Sequence, residues 1–147
     1  MAIPAVGRVL AVDWGELRIG LALSDETQTI ASPLTTLTRR RGKRFPMPAF
    51  LELIKANAPV GLVVGLPLTP EGSEGPSAAA VRELAVLLGG RTYLPVELVD
   101  ERMSSSRALA AIREQGGSTR GRREEVASLA ATILLQQFLE TRRNAGR

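Results

Sequence analysis

The sequence has no cysteine and no histidine in its 147 residues. Without thiols there is no disulfide framework, no thiolate metal site and no thiol nucleophile. Without imidazole, the usual general base and the commonest transition-metal ligand are both missing. Acid–base or metal chemistry must then rest mainly on carboxylates, which suit hard ions such as Mg²⁺ or Mn²⁺. Aromatic residues are only 3% of the chain, so a stacking platform for single strands is poorly supplied. No apolar run approaches the roughly 20 residues that span a bilayer. Arg8 and Asp13 interrupt the one stretch that could resemble a signal peptide. These absences lead us to expect a cytoplasmic protein without membrane contact.

The length fits one domain spanning 1–147, large enough to bury a real core. The apolar fraction of 44% is that of an ordinary globular chain. A net charge of +4 favours a polyanionic partner.

Apolar runs at 8–14 and 19–24, separated by Gly15-Glu16-Leu17-Arg18, read as a β-hairpin. The threonine-rich run 29–38 carries Pro33 and reads as an edge strand. Helical spacing of Phe50, Leu51, Leu53 and Ile54 predicts a helix at 48–57 that stops before Pro59. The glycine-bounded run 60–65 has the pattern of a strand covered on both faces. A helix at 77–88 stopping at Gly89-Gly90, a strand at 95–102 and a short serine-capped helix follow. The last helix, 122–143, is expected to bury Val126, Leu129, Ala130, Ile133, Leu134 and Phe138. The order predicts an α/β fold: a mixed five-stranded sheet, three antiparallel strands then parallel ones, with helices on both faces.

Four stretches could carry chemistry. Asp13, Gly15 and Gly20 form D-x-G-x-x-x-x-G, placing a carboxylate at the end of the first strand and glycines where a phosphate backbone could approach. An aspartate there is costly to bury unless it is paired, though it could simply cap the hairpin. Asp100 and Glu101 end the last strand, where open sheets bind ligands. Period 2 sends them to opposite faces, and Glu101 is the one expected to join Asp13. An ion pair with Arg102 is the plainer alternative. The loop 65–76, "GLPLTPEGSEGP", could offer free amides to phosphate, but it lacks the G-K-[ST] of a nucleotide-binding loop. The runs Arg39-Arg40-Arg41-Gly42-Lys43-Arg44 and Arg120-Gly121-Arg122-Arg123 could grip a nucleic-acid backbone without reading its sequence, or be merely solvated.

Taken together, "VDWGELRIGLALSD", "VVGLPLTPEGSEGP", "VELVDERMSSS" and "EEVASLAATILLQQFL" resemble the YqgF/RuvX family over about residues 8–139. That resemblance implies a ribonuclease-H-like fold and a metal-dependent nuclease. The family is associated with maturation of the 5′ end of 16S ribosomal RNA precursor, and earlier with resolution of Holliday junctions. By motif match, Asp13 and Glu101 fall on the family's acidic strand-end positions. The family's helix aspartate is replaced here by Ala127. Glu124, one turn earlier on the same helix face, is the candidate substitute, whereas Glu125 is rotated off it. Glu124 could equally be an acid that favours the first helical turn.

The expectation is phosphodiester hydrolysis with one or two Mg²⁺ or Mn²⁺ ions held by Asp13, Glu101 and Glu124. Arg18, Arg39, Arg40, Arg41, Lys43, Arg44, Arg102, Arg120, Arg122 and Arg123 are the candidate nucleic-acid contacts. The substrate could be RNA or branched DNA, and the protein a monomer or a homodimer. A binding module weakened in catalysis by Ala127 is the second reading. An actin-like phosphotransferase, which needs two such domains, ranks last.

Overall fold

The computed structural model describes residues 2–15, 17–39, 44–101 and 122–146. β1 (Val9–Trp14) and β2 (Arg18–Ser24) form the hairpin, closed by the Gly15 amide donating to the Arg18 carbonyl at 2.9 Å. β3 (Ala31–Thr38) pairs antiparallel with β2 and lies at the sheet edge, where proline is tolerated, and the β2–β3 register shifts beside Pro33. α1 (Met47–Asn57) leads to β4 (Gly61–Leu66), parallel to β1 on its other side. α2 (Pro76–Thr92) leads to β5 (Val96–Asp100), parallel to β4. The sheet order is β3-β2-β1-β4-β5. α3 (Arg123–Ala145) closes the fold.

Strand alternation assigns each side chain to one of two cores. Leu10, Val12, Leu62, Val64 and Leu66 face α1 and α2, where they meet Phe50, Val81, Leu84 and Leu88. Val9, Ala11, Ala22 and Val63 face α3, where they meet Ala131, Leu134, Leu135 and Phe138. A sheet covered on both faces explains why β4 is apolar throughout.

Two expected elements differ in detail. α2 runs through Gly89 and Gly90 and stops at Tyr93, whose left-handed backbone lets its amide reach the Gly89 carbonyl at 2.9 Å. The buried stripe of α3 is Ala130, Ala131, Leu134, Leu135, Phe138 and Leu139, with Leu129 and Ile133 only half-buried at its side. The rotation follows from where the helix touches the sheet, described below. The expected short helix after Arg102 lies outside the described residues. Among the described residues, no helix is long and apolar enough to cross a membrane.

Candidate metal-dependent nuclease site

β1, β4 and β5 are parallel, so their carboxyl ends share one edge of the sheet. Asp13 sits near the end of β1 and Glu101 directly follows β5. By alternation Asp13 lies on the same face as Val9 and Ala11, and Glu101 on that of Val99, which packs into the α3 core. Both carboxylates therefore face α3, while Asp100 falls on the opposite parity.

β4 stands between their strands, and two strand spacings of about 4.8 Å separate β1 from β5. The gap is bridged because Gly65 occupies β4 on that face. A β-carbon at Gly65 would collide with Oε2 of Glu101 and crowd Leu134 Cδ2 at 3.2 Å. The missing side chain gives the longer glutamate a channel across β4 toward Asp13. The Glu101 backbone is tied to the same strand, its amide donating to the Leu66 carbonyl at 3.2 Å.

A second glycine brings in the helix. Gly20 lies opposite Asp13 in the β1–β2 register and so shares its face. A β-carbon there would overlap the Ala127 carbonyl and the Ser128 amide nitrogen. Gly20 thus serves close packing of α3 on the sheet, not approach of a phosphate backbone as the sequence reading supposed. This contact fixes the rotation of α3 and sets Ala127 beside the carboxylates.

The resulting cleft of about 390 Å³ is lined by Asp13, Glu101, Arg18, Arg123, Val126 and Ala127, with Trp14 and the hairpin turn at its rim. Burial, a hydrogen bond to Asp13, and the charges of Asp13 and Asp100 push the Glu101 carboxyl up to about 9. Its Oε2 is buried without a hydrogen-bond partner among the described residues. Nε of Arg18 is in the same position. Two carboxyls forced together, one with an orphaned oxygen, are a donor set suited to a hard divalent cation. Among the described residues no third acid joins them. Glu124 lines the adjacent cleft with Arg18, Arg122, Arg123 and Glu125, and its carbonyl accepts from Thr36 Oγ1 at 2.6 Å. The structure brings together Asp13 and Glu101, and places Glu124 outside their cleft.

The shifted carboxyl has a signed consequence. Glu101 keeps a proton in the folded chain that the unfolded chain loses above about 4.5. The stability this proton confers is complete below that pH, declines as pH rises, and is gone above about 9. In EDTA, the wild-type melting temperature should therefore fall by several degrees from pH 5 to pH 9, and Glu101→Gln should flatten that fall. Differential scanning fluorimetry across the range checks it. Parallel curves for the two proteins would refute the assignment.

The predicted cations divide. Arg18 and Arg123 line the cleft. Arg39 lies over the Trp14 ring, 4.8 Å from its centroid, and donates to the Gly15 carbonyl at 3.3 Å. Arg44 lies further along the surface, beside Phe45 and Met47. Arg122 is paired with Glu125 at 2.6 Å. Arg40, Arg41, Lys43, Arg102 and Arg120 lie outside the described residues. The loop before α2 is no open phosphate cradle. The Thr69 amide donates to the Ser73 carbonyl, the Gly72 amide to the Thr69 carbonyl, and the Ser73 amide to Thr69 Oγ1. Asp25, at the far end of β2, is held in a turn by the amides of Thr29 and Ile30 and by Thr27 Oγ1. Those hydrogen bonds hold its carboxyl below the ordinary range.

Gly20, Gly65 and Trp14 are contributors that the sequence reading did not single out as such. In the sequence Gly65 ended the apolar run 60–65 and opened the candidate phosphate loop, with no local signal that the side chain of Glu101 would cross it.

A mixed sheet in this order, with acidic side chains meeting at the carboxyl ends of two of its parallel strands under a helix, defines the ribonuclease-H-like class. RuvC from Thermus thermophilus shares the fold. In complex with a Holliday junction substrate it superposes with a TM-score of 0.55 at 18% identity, covering 92% of this chain and 96% of RuvC. A second structure of that protein gives 0.53 at 14% identity, covering 93% and 96%. The family model RuvX, described as Holliday junction resolvase, matches residues 7–141, and the chain belongs to that family. A relative from Anaeromyxobacter dehalogenans is 42% identical over 92% of this chain and 98% of its own length. Relatives from Roseiflexus and Chloroflexus aggregans are 40% and 38% identical, covering 93% and 92% of this chain and 96% and 95% of their own. All three carry the name "Putative pre-16S rRNA nuclease".

Proposed function

We propose that this RuvX-family enzyme is a single-domain, cytoplasmic nuclease that hydrolyses a phosphodiester bond at the 5′ end of 16S ribosomal RNA precursor. The observation that carries the reading is the meeting of Asp13 and Glu101 across Gly65 in one cleft with Arg18 and Arg123. Asp13 and Glu101 would hold Mg²⁺ or Mn²⁺. A divalent cation bound there supplies water activation and charge neutralisation at the phosphate, which a histidine-free site needs. Arg18, with an unsatisfied Nε, and Arg123 are placed to take phosphate oxygens. Glu101 would give up its proton to hold the ion, since only the ionised carboxylate is a ligand.

The test is cleavage with Mg²⁺ and with Mn²⁺ of three substrates: a 16S precursor 5′ end, generic single-stranded RNA and a four-way DNA junction. Preferential cleavage of the precursor supports the reading, and exclusive cleavage of the junction replaces it with resolvase activity.

Ala127 favours a second reading, a module that binds nucleic acid and cuts it poorly. It lines the cleft with both carboxylates, and its methyl group stands at the position where the resemblance implies a helix aspartate. Ala127→Asp should tighten Mn²⁺ binding at least tenfold by isothermal titration calorimetry, since a third carboxylate raises the charge of the donor set. Cleavage should rise in parallel. Unchanged metal affinity would mean that position 127 does not reach the bound ion.

A further inference from the structure

Alternation that turns Asp13 toward α3 turns the next residue, Trp14, the other way. Trp14 therefore borders the carboxylate cleft only at its rim and belongs to the α1–α2 side of the sheet. Trp14, Gly15 and Glu101 border both the cleft and a neighbouring cavity of about 540 Å³, whose far wall is Ser77, Ala80 and Val81 of α2. Trp14, Arg39 and Ala80 then continue into a wider cavity of about 660 Å³. Its floor is apolar, made of Phe45, Met47 and Leu84, with Leu87 48% exposed along it. Among the described residues its rim carries Arg39, Arg44 and Arg91 against one acid, Glu83. One continuous trough thus runs from the two carboxylates, past the chain's single tryptophan, to an apolar floor with a cationic rim.

We propose that this trough holds the unpaired RNA nucleotides flanking the scissile bond, with bases against Trp14 and the apolar floor and phosphates along the arginine rim. The inference rests on the nuclease reading and adds a substrate class to it, a strand that is single on one side of the cut. A base presents an apolar face and a backbone presents regular negative charge, and the trough offers the complement of each. A paired strand has its bases stacked inward and cannot use such a floor. The low aromatic content predicted a poor stacking platform, and Arg39 lies over the one tryptophan, so a base entering here stacks on the planar guanidinium of the Arg39–Trp14 pair. Nε1 of Trp14 is buried without a partner among the described residues, so the indole offers its ring, not its N–H.

Trp14 also reports the test, because its fluorescence is the only tryptophan signal in the chain. A single-stranded RNA ten-mer is titrated in EDTA, with anisotropy of the labelled strand followed beside Trp14 emission. The same RNA as a duplex and the same sequence as single-stranded DNA are compared. Single-stranded RNA should quench Trp14 with the same midpoint as its anisotropy rise. Single-stranded DNA should do likewise because base faces and phosphates are common to both, and the duplex should bind more weakly without the quench. Leu87→Glu and Arg91→Glu, both at exposed positions, should each weaken single-stranded RNA binding about tenfold, the scale of one lost stacking or phosphate contact. Binding without quenching, unchanged affinity in both variants, or equal quenching by the duplex overturns the proposal. So does a shift in oligomeric state on Leu87→Glu, which would make the floor a contact between copies. Wild-type cleavage of the same RNA with Mn²⁺ is measured separately. Its absence counts against the nuclease reading, whereas cleavage with an unresponsive Trp14 counts against the trough alone.

Discussion

Asp13→Asn is expected to lower metal-dependent cleavage on the order of a thousandfold, the scale of removing one preorganised electrostatic element from a site. The substitution keeps the size and shape of the side chain and removes its charge. The chain has no histidine to take over, and Glu101 alone leaves a single carboxylate in the cleft. The fold should not suffer. Glu101 keeps its proton in the metal-free protein, and an asparagine of the same shape can still accept its hydrogen bond through Oδ1, so no buried charge is left unpaired. The melting temperature in EDTA should be unchanged, while stabilisation by added Mn²⁺ should disappear. A gel cleavage assay and a melting curve on the same preparation check both halves. Cleavage retained at the wild-type rate would remove Asp13 from the mechanism.

Gly20→Ala is expected to have the largest effect on stability. The added methyl would occupy the position of the Ala127 carbonyl, which belongs to helix backbone and cannot rotate aside. Either α3 lifts or β2 bends, and overpacking of this kind costs about 3 kcal/mol. For a chain of this size that lowers Tm by about 10 °C. Cleavage should fall as well, because the same contact seats Arg123 and Val126 in the cleft. Gly90→Ala is the control. Gly90 lies in α2 with open space where its β-carbon would go, so alanine there should be neutral or gain up to about 1 kcal/mol. If the two alanines behave alike, the close approach at Gly20 is not what positions α3.

The contrast between these glycines shows how far sequence could go. Gly15, Gly20 and Asp13 formed one recognisable motif, yet their roles separate completely in three dimensions. The motif's spacing announced a hairpin and a strand-end carboxylate, both of which depend on neighbours within a few residues. That Gly20 receives a helix more than a hundred residues later does not. The same holds for Glu124. Helical periodicity put it one turn from position 127, and the docking of α3 put the two residues in different clefts.

What the sequence by itself determined was local or periodic. The hairpin, the edge position expected from Pro33 and the twice-covered β4 follow from a repeat of two and chain breaks, whereas the same repeat separates Asp100 from Glu101 without saying which of them faces Asp13. The exclusion of thiol and imidazole chemistry needed no structure at all. Tertiary structure alone decided which side chains meet. Gly65 lets Glu101 cross a strand, Gly20 sets the depth and rotation of α3, and Trp14 opens into the α1–α2 trough. The physical reason is common to all three: a contact across a sheet depends on the volume of the residue in between, and that residue's neighbours in sequence carry no record of what will pass over it.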